Sequence, residues 1–176
     1  MTLDRFQISA TATTKEEAYS AYAAAIKNLT QAGLSVSCAE SCTGGLMGKL
    51  FTDVSGASAV FYGGMITYTN HIKINKLGVS AKTIEAHTEV SFECAAEMAS
   101  RAREYFETDI GLSATGYAGP TGGTEKDPVG TVYLGIATPD SVEVKRLSFG
   151  DSDREEIRYG TAKIAAESLI CATKTT

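Results

Sequence analysis

Histidine occurs only twice in the 176 residues, as His71 and His87, and the four cysteines (Cys38, Cys42, Cys94, Cys171) show no C-x-x-C spacing. That is a poor inventory for a metal, and scattered thiols of this kind are expected to be reduced and packed rather than bridged. Basic clusters are missing too. Sixteen Lys and Arg stand against 21 Asp and Glu, a net charge of -5, and no five-residue stretch could lay a positive stripe along a phosphate backbone, which argues against nucleic acid as a partner. No apolar run approaches the about 20 residues that span a bilayer; the longest, over 57–68, is interrupted by Ser58, Gly63, Gly64 and Thr67. The N-terminus carries Asp4, Arg5 and Gln7 where a secretory signal needs an unbroken apolar run, so nothing there directs export and a cytoplasmic location is expected. What remains is an ordinary globular composition, 43% hydrophobic and 21% charged, long enough for one core.

Residues 1–13 lack clear periodicity and are expected to be an N-terminal extension, frayed or added as an edge segment, ahead of a single domain over 14–176. Thr14 with Glu17 reads as a capping box, and Ala18, Tyr22, Ile26 and Leu29 recur at helical spacing until Gly33. Residues 34–38 alternate as a strand, 43–51 read as a helix, and 59–69 read as a strand with a glycine pair inside. Asn70 can cap a short helix to about residue 77, and Ser91 opens a longer one on which Phe92, Ala95, Ala99, Ala102 and Phe106 share a face. A strand over 109–115, a glycine-rich loop over 116–130, a hairpin of 131–138 with 142–149, and a final helix over 153–172 complete the chain. The alternation predicts a three-layer α/β/α sandwich with a mixed, mostly parallel sheet and one late β-hairpin.

Four segments could carry chemistry. Ala39-Glu40-Ser41-Cys42-Thr43-Gly44-Gly45 lies between a predicted strand and a predicted helix, where unpaired N–H groups can meet an anion, or where Ser and Thr simply cap the helix. Tyr68-Thr69-Asn70-His71-Ile72-Lys73 puts a lysine in a first helical turn, against the macrodipole; held there and desolvated, its amine would be acidified toward the range of a base, while solvated it would be an ordinary surface cation. The loop through Gly116, Gly119, Pro120, Thr121, Gly122 and Gly123 is long and slight enough to wrap a ligand with backbone donors. Arg154 and Arg158 stand one helical turn apart and can hold a phosphate or pair with the neighbouring acids.

Taken together, AESCTGG, YTNHIK, GYAGPTGG and DREEIR resemble the CinA C-terminal domain family, the nicotinamide mononucleotide deamidases, over about residues 31–172. The resemblance implies a metal-free, cofactor-free amidohydrolase that converts nicotinamide mononucleotide to nicotinic acid mononucleotide and ammonia, and a domain that forms homodimers. Complete members carry a further N-terminal domain, so the chain is similar to the stand-alone form. Carried over by position, Ser41 would be the nucleophile, Tyr68 and Lys73 its catalytic partners, and Thr43, Gly44, Gly45, Gly119, Thr121, Gly122, Gly123, Arg154 and Arg158 would hold the substrate. The chain departs from the family pattern at Thr88 and Glu89, where Gly-Ala is common, at Asp127 before Pro128, and at Ser152. Two other readings stand beside this one: a nucleotide-binding module without turnover, and a thiol hydrolase using Cys42 with His71 or His87 as base.

Overall fold

The computed structural model describes residues 2–173. Helix α1 (Lys15–Ala32) starts at the capping box of Thr14 and Glu17 and ends at Gly33 in the left-handed conformation. Next come β2 (Val36–Glu40), α2 (Leu46–Asp53), a 3-10 turn (Ala57–Ala59) and β3 (Phe61–Ile66), with β1 (Thr2–Ser9) ahead of them all. Beyond β3 lie α3 (Asn70–Ile72), a π-helical turn (Lys73–Leu77), α4 (Ala81–His87) and α5 (Phe92–Tyr105). The chain closes with β4 (Ile110–Gly116), β5 (Thr131–Ala137), β6 (Ser141–Ser148) and α6 (Arg154–Ala172), whose N-terminus carries a second capping box from Asp153 and Glu156.

The six strands form one sheet in the order β1-β6-β5-β4-β2-β3. β2 pairs in parallel with β3 and β4, β1 pairs in parallel with β6, and the β4–β5 and β5–β6 pairs are antiparallel. Helices α1, α2 and α6 bury Tyr22, Leu29, Phe51, Ile157 and Leu169 against one face. Helix α5 covers the other face with Ala95, Met98, Ala99 and Ala102. It sits so close that a Cβ on Gly111 would be 2.1 Å from the Ala99 carbonyl oxygen, so the strand residue beneath the helix has to be glycine.

Of the two forms expected for the N-terminal segment, residues 2–9 take the edge strand, in register with β6. Three other local expectations change. Helix α2 begins at Leu46, because Gly44 (φ 58°) and Gly45 (φ 94°) hold the preceding turn in left-handed geometry that residues with a Cβ rarely adopt. Thr69, not Asn70, caps α3, its side chain accepting the Ile72 N–H at 3.3 Å. Helix α4 was not anticipated: it buries none of its residues and so has no apolar period to read.

Candidate active site

Strand β2 delivers two consecutive residues to opposite faces of the sheet. Val36 and Cys38 point into the α1/α2/α6 layer, and Ala39 points into the α5 layer. Continuing that alternation, Glu40 lies under α2 and Ser41 turns to the other side. The buried Glu40 carboxylate accepts the N–H groups of Gly45 (3.0 Å), Met47 (3.0 Å) and Gly48 (2.8 Å). The expectation that this helix start offers open donors to a ligand anion is therefore corrected: the protein's own carboxylate occupies them. Glu40 escapes sequence reading because it stands before the turn it caps, five residues from the N-cap position.

Ser41 extends the β2–β4 ladder, its N–H donating to the Ala114 carbonyl at 2.9 Å. Its Oγ lies 3.0 Å from Lys73 Nζ, and the same amine donates to the Thr67 carbonyl at 2.9 Å. Thr67 is itself tied to the end of β2, its N–H donating to the Glu40 carbonyl at 2.7 Å. Lys73 is 1% exposed. Burial holds its pKa below the ordinary lysine value, and Cys94, Glu89 and Cys42 oppose that shift to the extent that they are ionised. Burial also pushes the thiols of Cys42 and Cys94 up to about 12, so both are neutral near pH 7. The resulting pair is a hydroxyl next to an amine whose neutral form burial favours. In that form the amine keeps an N–H for Thr67 and turns its lone pair to Ser41.

The thiol-hydrolase reading does not survive this geometry. The Cys42 thiol is too weak an acid to supply thiolate, the His71 ring bonds to Asn75 on its own helix, and His87 lies 3.8 Å from Glu93.

A cleft of about 420 Å³ opens over this pair, beyond the carboxyl ends of β2, β3 and β4. Ser41, Cys42 and Lys73 form its floor, Tyr68, Thr69 and Asn70 one wall, Glu89 and Val90 the inner end, and the stretch from Thr115 to Gly119 with Thr121 the opposite wall. Arg154 stands at the outer end, donating to the Gly119 carbonyl at 2.6 Å and to the Tyr68 hydroxyl at 3.4 Å. Tyr68 is 59% exposed, at the rim. Its hydroxyl meets Arg154 rather than Ser41 or Lys73.

The remaining sequence-chosen residues lie outside the cleft. Arg158 donates through Nε (3.1 Å) and Nη2 (2.6 Å) to the Thr43 carbonyl, so it pins the turn after Ser41 to α6. Thr43, Gly44 and Gly45 shape that turn, and Gly122 and Gly123 pack the glycine loop onto Tyr117 and Val129. Asp127 is buried away from the cleft, accepting hydrogen bonds at 2.9 Å from both Tyr133 and Arg146, which latches the loop to β5 and β6. Ser152 bonds to the Phe149 carbonyl at 2.8 Å ahead of α6. Asn70, Glu89, Thr115 and Tyr117 line the cleft without having been singled out as binding residues. Asn70 and Tyr117 follow the ends of β3 and β4, Thr115 lies at the end of β4, and Glu89 lies between α4 and α5, where no strand end points to the cleft.

A family model described as the CinA C-terminal domain matches residues 18–172. A protein named as competence-damage inducible from Halothermothrix orenii is 51% identical over 140 residues, covering 79% of this chain and 34% of its own. A CinA-like protein from Crocosphaera subtropica is 47% identical over 142 residues, 80% of this chain and 34% of its own. The chain thus spans about a third of the length of these curated relatives. Among solved structures, the competence/damage inducible protein CihA from Agrobacterium tumefaciens superposes with a TM-score of 0.85 at 38% identity, covering 88% of this chain and 94% of its own. A CinA superfamily protein from Klebsiella pneumoniae gives 0.86 at 28% identity, with 90% and 99% covered.

Proposed function

The chain belongs to the CinA C-terminal domain family, and from that premise we propose that it hydrolyses the carboxamide of nicotinamide mononucleotide to nicotinic acid mononucleotide and ammonia, with Ser41 as nucleophile and Lys73 as base. The observation that carries this reading is the buried Lys73 amine 3.0 Å from Ser41 Oγ, on the floor of an open cleft. Lys73 takes the hydroxyl proton as Ser41 Oγ bonds to the amide carbon, and the carbonyl π electrons move to oxygen. The Cys42 N–H, which no carbonyl among the described residues accepts, is the natural donor to that oxyanion. Lys73 then returns the proton to the leaving nitrogen, ammonia departs, and an ester remains on Ser41. Water, deprotonated by Lys73, attacks the ester; the carboxylic acid leaves and Ser41 regains its proton.

Arg154, at the far end of the cleft, holds the phosphate. Tyr68 orients that arginine, so its role is positioning rather than proton transfer. Thr121 and the backbone of Gly119 contact the ribose side. The remaining glycines and Arg158 act by shaping the two loops. A homodimer is part of the same proposal: β3 is a sheet edge and presents the exposed Tyr62 and Ile66, a strip that a second copy would cover. Light scattering at micromolar concentration reads the mass of one chain or two. The site proposed here, for a diffusible nucleotide in the cytoplasm, is tested by ammonia release from nicotinamide, its riboside, its mononucleotide and its dinucleotide. Turnover should be greatest with the mononucleotide and absent in Ser41→Ala. If Ser41→Ala keeps turnover, the nucleophile is misassigned; if the native protein shifts its melting temperature with ligand but releases no ammonia, it is a binding module.

A further inference from the structure

The cleft is charged at both ends with opposite sign. Arg154 marks the outer end; at the inner end the half-buried Glu89 carboxylate lines the cavity beside Lys73. Its one hydrogen-bonding neighbour there is Asn70, whose Nδ2 lies 3.5 Å from Oε2. Among the described residues no lysine, arginine or histidine forms a salt bridge with it. The Glu89 carboxylate therefore faces the half of the cleft that holds Ser41 with no ion-pair partner among the described residues. Such a charge out of full water is unfavourable unless something positive meets it.

The backbone holds Glu89 in that position firmly. Thr88, a β-branched residue, sits at φ 71° and ψ 170°, a conformation otherwise left to glycine. Its hydroxyl donates to the Val90 carbonyl at 3.2 Å, and Thr115 Oγ1 donates to the Glu89 carbonyl at 2.7 Å. Strain is retained where the surroundings over-determine it, and here it sets the direction in which the next residue leaves the backbone.

We propose that Glu89 is a specificity residue for a cationic ring: it selects the N-ribosylated pyridinium, which is positively charged, over neutral rings of the same shape. The proposal rests on the reading of the cleft as a nicotinamide-nucleotide site. A ligand whose carboxamide reaches Ser41 puts its ring in the half of the cleft that Glu89 lines. A phosphate at Arg154 and a pyridinium near Glu89 then match the two charges of the protein with two of opposite sign.

The experiment compares nicotinamide mononucleotide with dihydronicotinamide mononucleotide, which keeps the phosphate, ribose and carboxamide but has a neutral ring. Calorimetric binding to Ser41→Ala removes turnover from the comparison. The oxidised ligand should bind about tenfold more tightly than the reduced one. In Ser41→Ala/Glu89→Gln that preference should fall to within about twofold of unity, and in Ser41→Ala/Glu89→Asp, which keeps the charge, it should persist. A preference that survives Glu89→Gln overturns the proposal, as does a Ser41→Ala protein that binds the two ligands equally or binds neither. Ammonia release by the native protein is scored separately. If it releases none while the binding preference follows Glu89, the amidase reading fails and the recognition of a cationic ring stands.

Discussion

Glu40→Gln isolates the carboxylate that caps α2 without changing its size. The wild-type side chain is 2% exposed and serves three backbone donors, two on Oε2 and one on Oε1. A glutamine can keep its carbonyl oxygen toward Gly45 and Met47, but its NH₂ then faces the Gly48 N–H, donor against donor. The lost bond and the orphaned donor cost about 1 to 3 kcal/mol. The two remaining bonds lose their charge assistance and the helix start loses its anion, about 1 kcal/mol more. Against this, neutralising the group removes the cost of keeping a charge out of water. A net loss of about 2 kcal/mol is expected, which for a chain of this size lowers the melting midpoint by about 4 to 8 °C. Urea unfolding at neutral pH measures it, and hydrogen exchange should show faster opening at Gly45, Met47 and Gly48 than elsewhere in α2. A midpoint within 1 °C of wild type, with unchanged exchange at those amides, would refute the claim that Glu40 holds this helix start.

Lys73→Met should remain folded and lose turnover by roughly 100-fold or more, and Lys73→Arg should fail as well, since a guanidinium does not give up its proton near neutral pH; steady-state ammonia release checks both. Because the Lys73 amine is held below its ordinary pKa by burial, kcat/KM should rise with pH through that lowered value and the rise should vanish in the variants. The same shift has a stability sign: between the folded and unfolded values the unfolded chain binds more protons, so stability increases with pH across that window. The charged or titrating neighbours are Glu89, Cys42 and Cys94, which both proteins share; urea midpoints of wild type relative to Lys73→Met should therefore climb as pH rises toward the unfolded lysine value. Arg154→Ala should weaken nicotinamide mononucleotide about tenfold while leaving the riboside within about twofold, whereas Arg158→Ala should affect both ligands alike, because its guanidinium grips Thr43 and not the cleft; titration calorimetry separates the two arginines.

Sequence periodicity located the main layers because α1, α5 and α6 each bury a helical stripe and both long outer helices start at a side-chain cap. The motif order brought Ser41 and Lys73 under consideration together, and the fold places them 3.0 Å apart. What spacing could not reveal was orientation. Arg154 and Arg158 share a helix face by their separation of four, yet one meets the cleft and the other reaches under it to the Thr43 carbonyl. Asp127 reads as part of a ligand loop, but its partners, Tyr133 and Arg146, come from strands formed later in the chain. Glu89 looked like a local substitution, and only the closing of α5 over the sheet brings it beside Lys73. Contacts between residues distant in sequence decide each of these, and no local pattern records them.

The π-helical turn from Lys73 to Leu77 fits one residue more into its hydrogen-bonded ring than an α turn does. It has two obligations at once: its first residue sends an amine to Ser41, and its last is buried with Val79, Cys94 and Met98. Removing a single residue from this segment would let it close as an ordinary α turn, but would rotate one obligation by about 100° relative to the other. Either the amine would leave the cleft or the anchor would leave the core. Length variation, readily absorbed at the exposed tip of the loop near Glu125, is therefore barred from these five positions, and their spacing constrains the protein as tightly as the identity of Lys73 does.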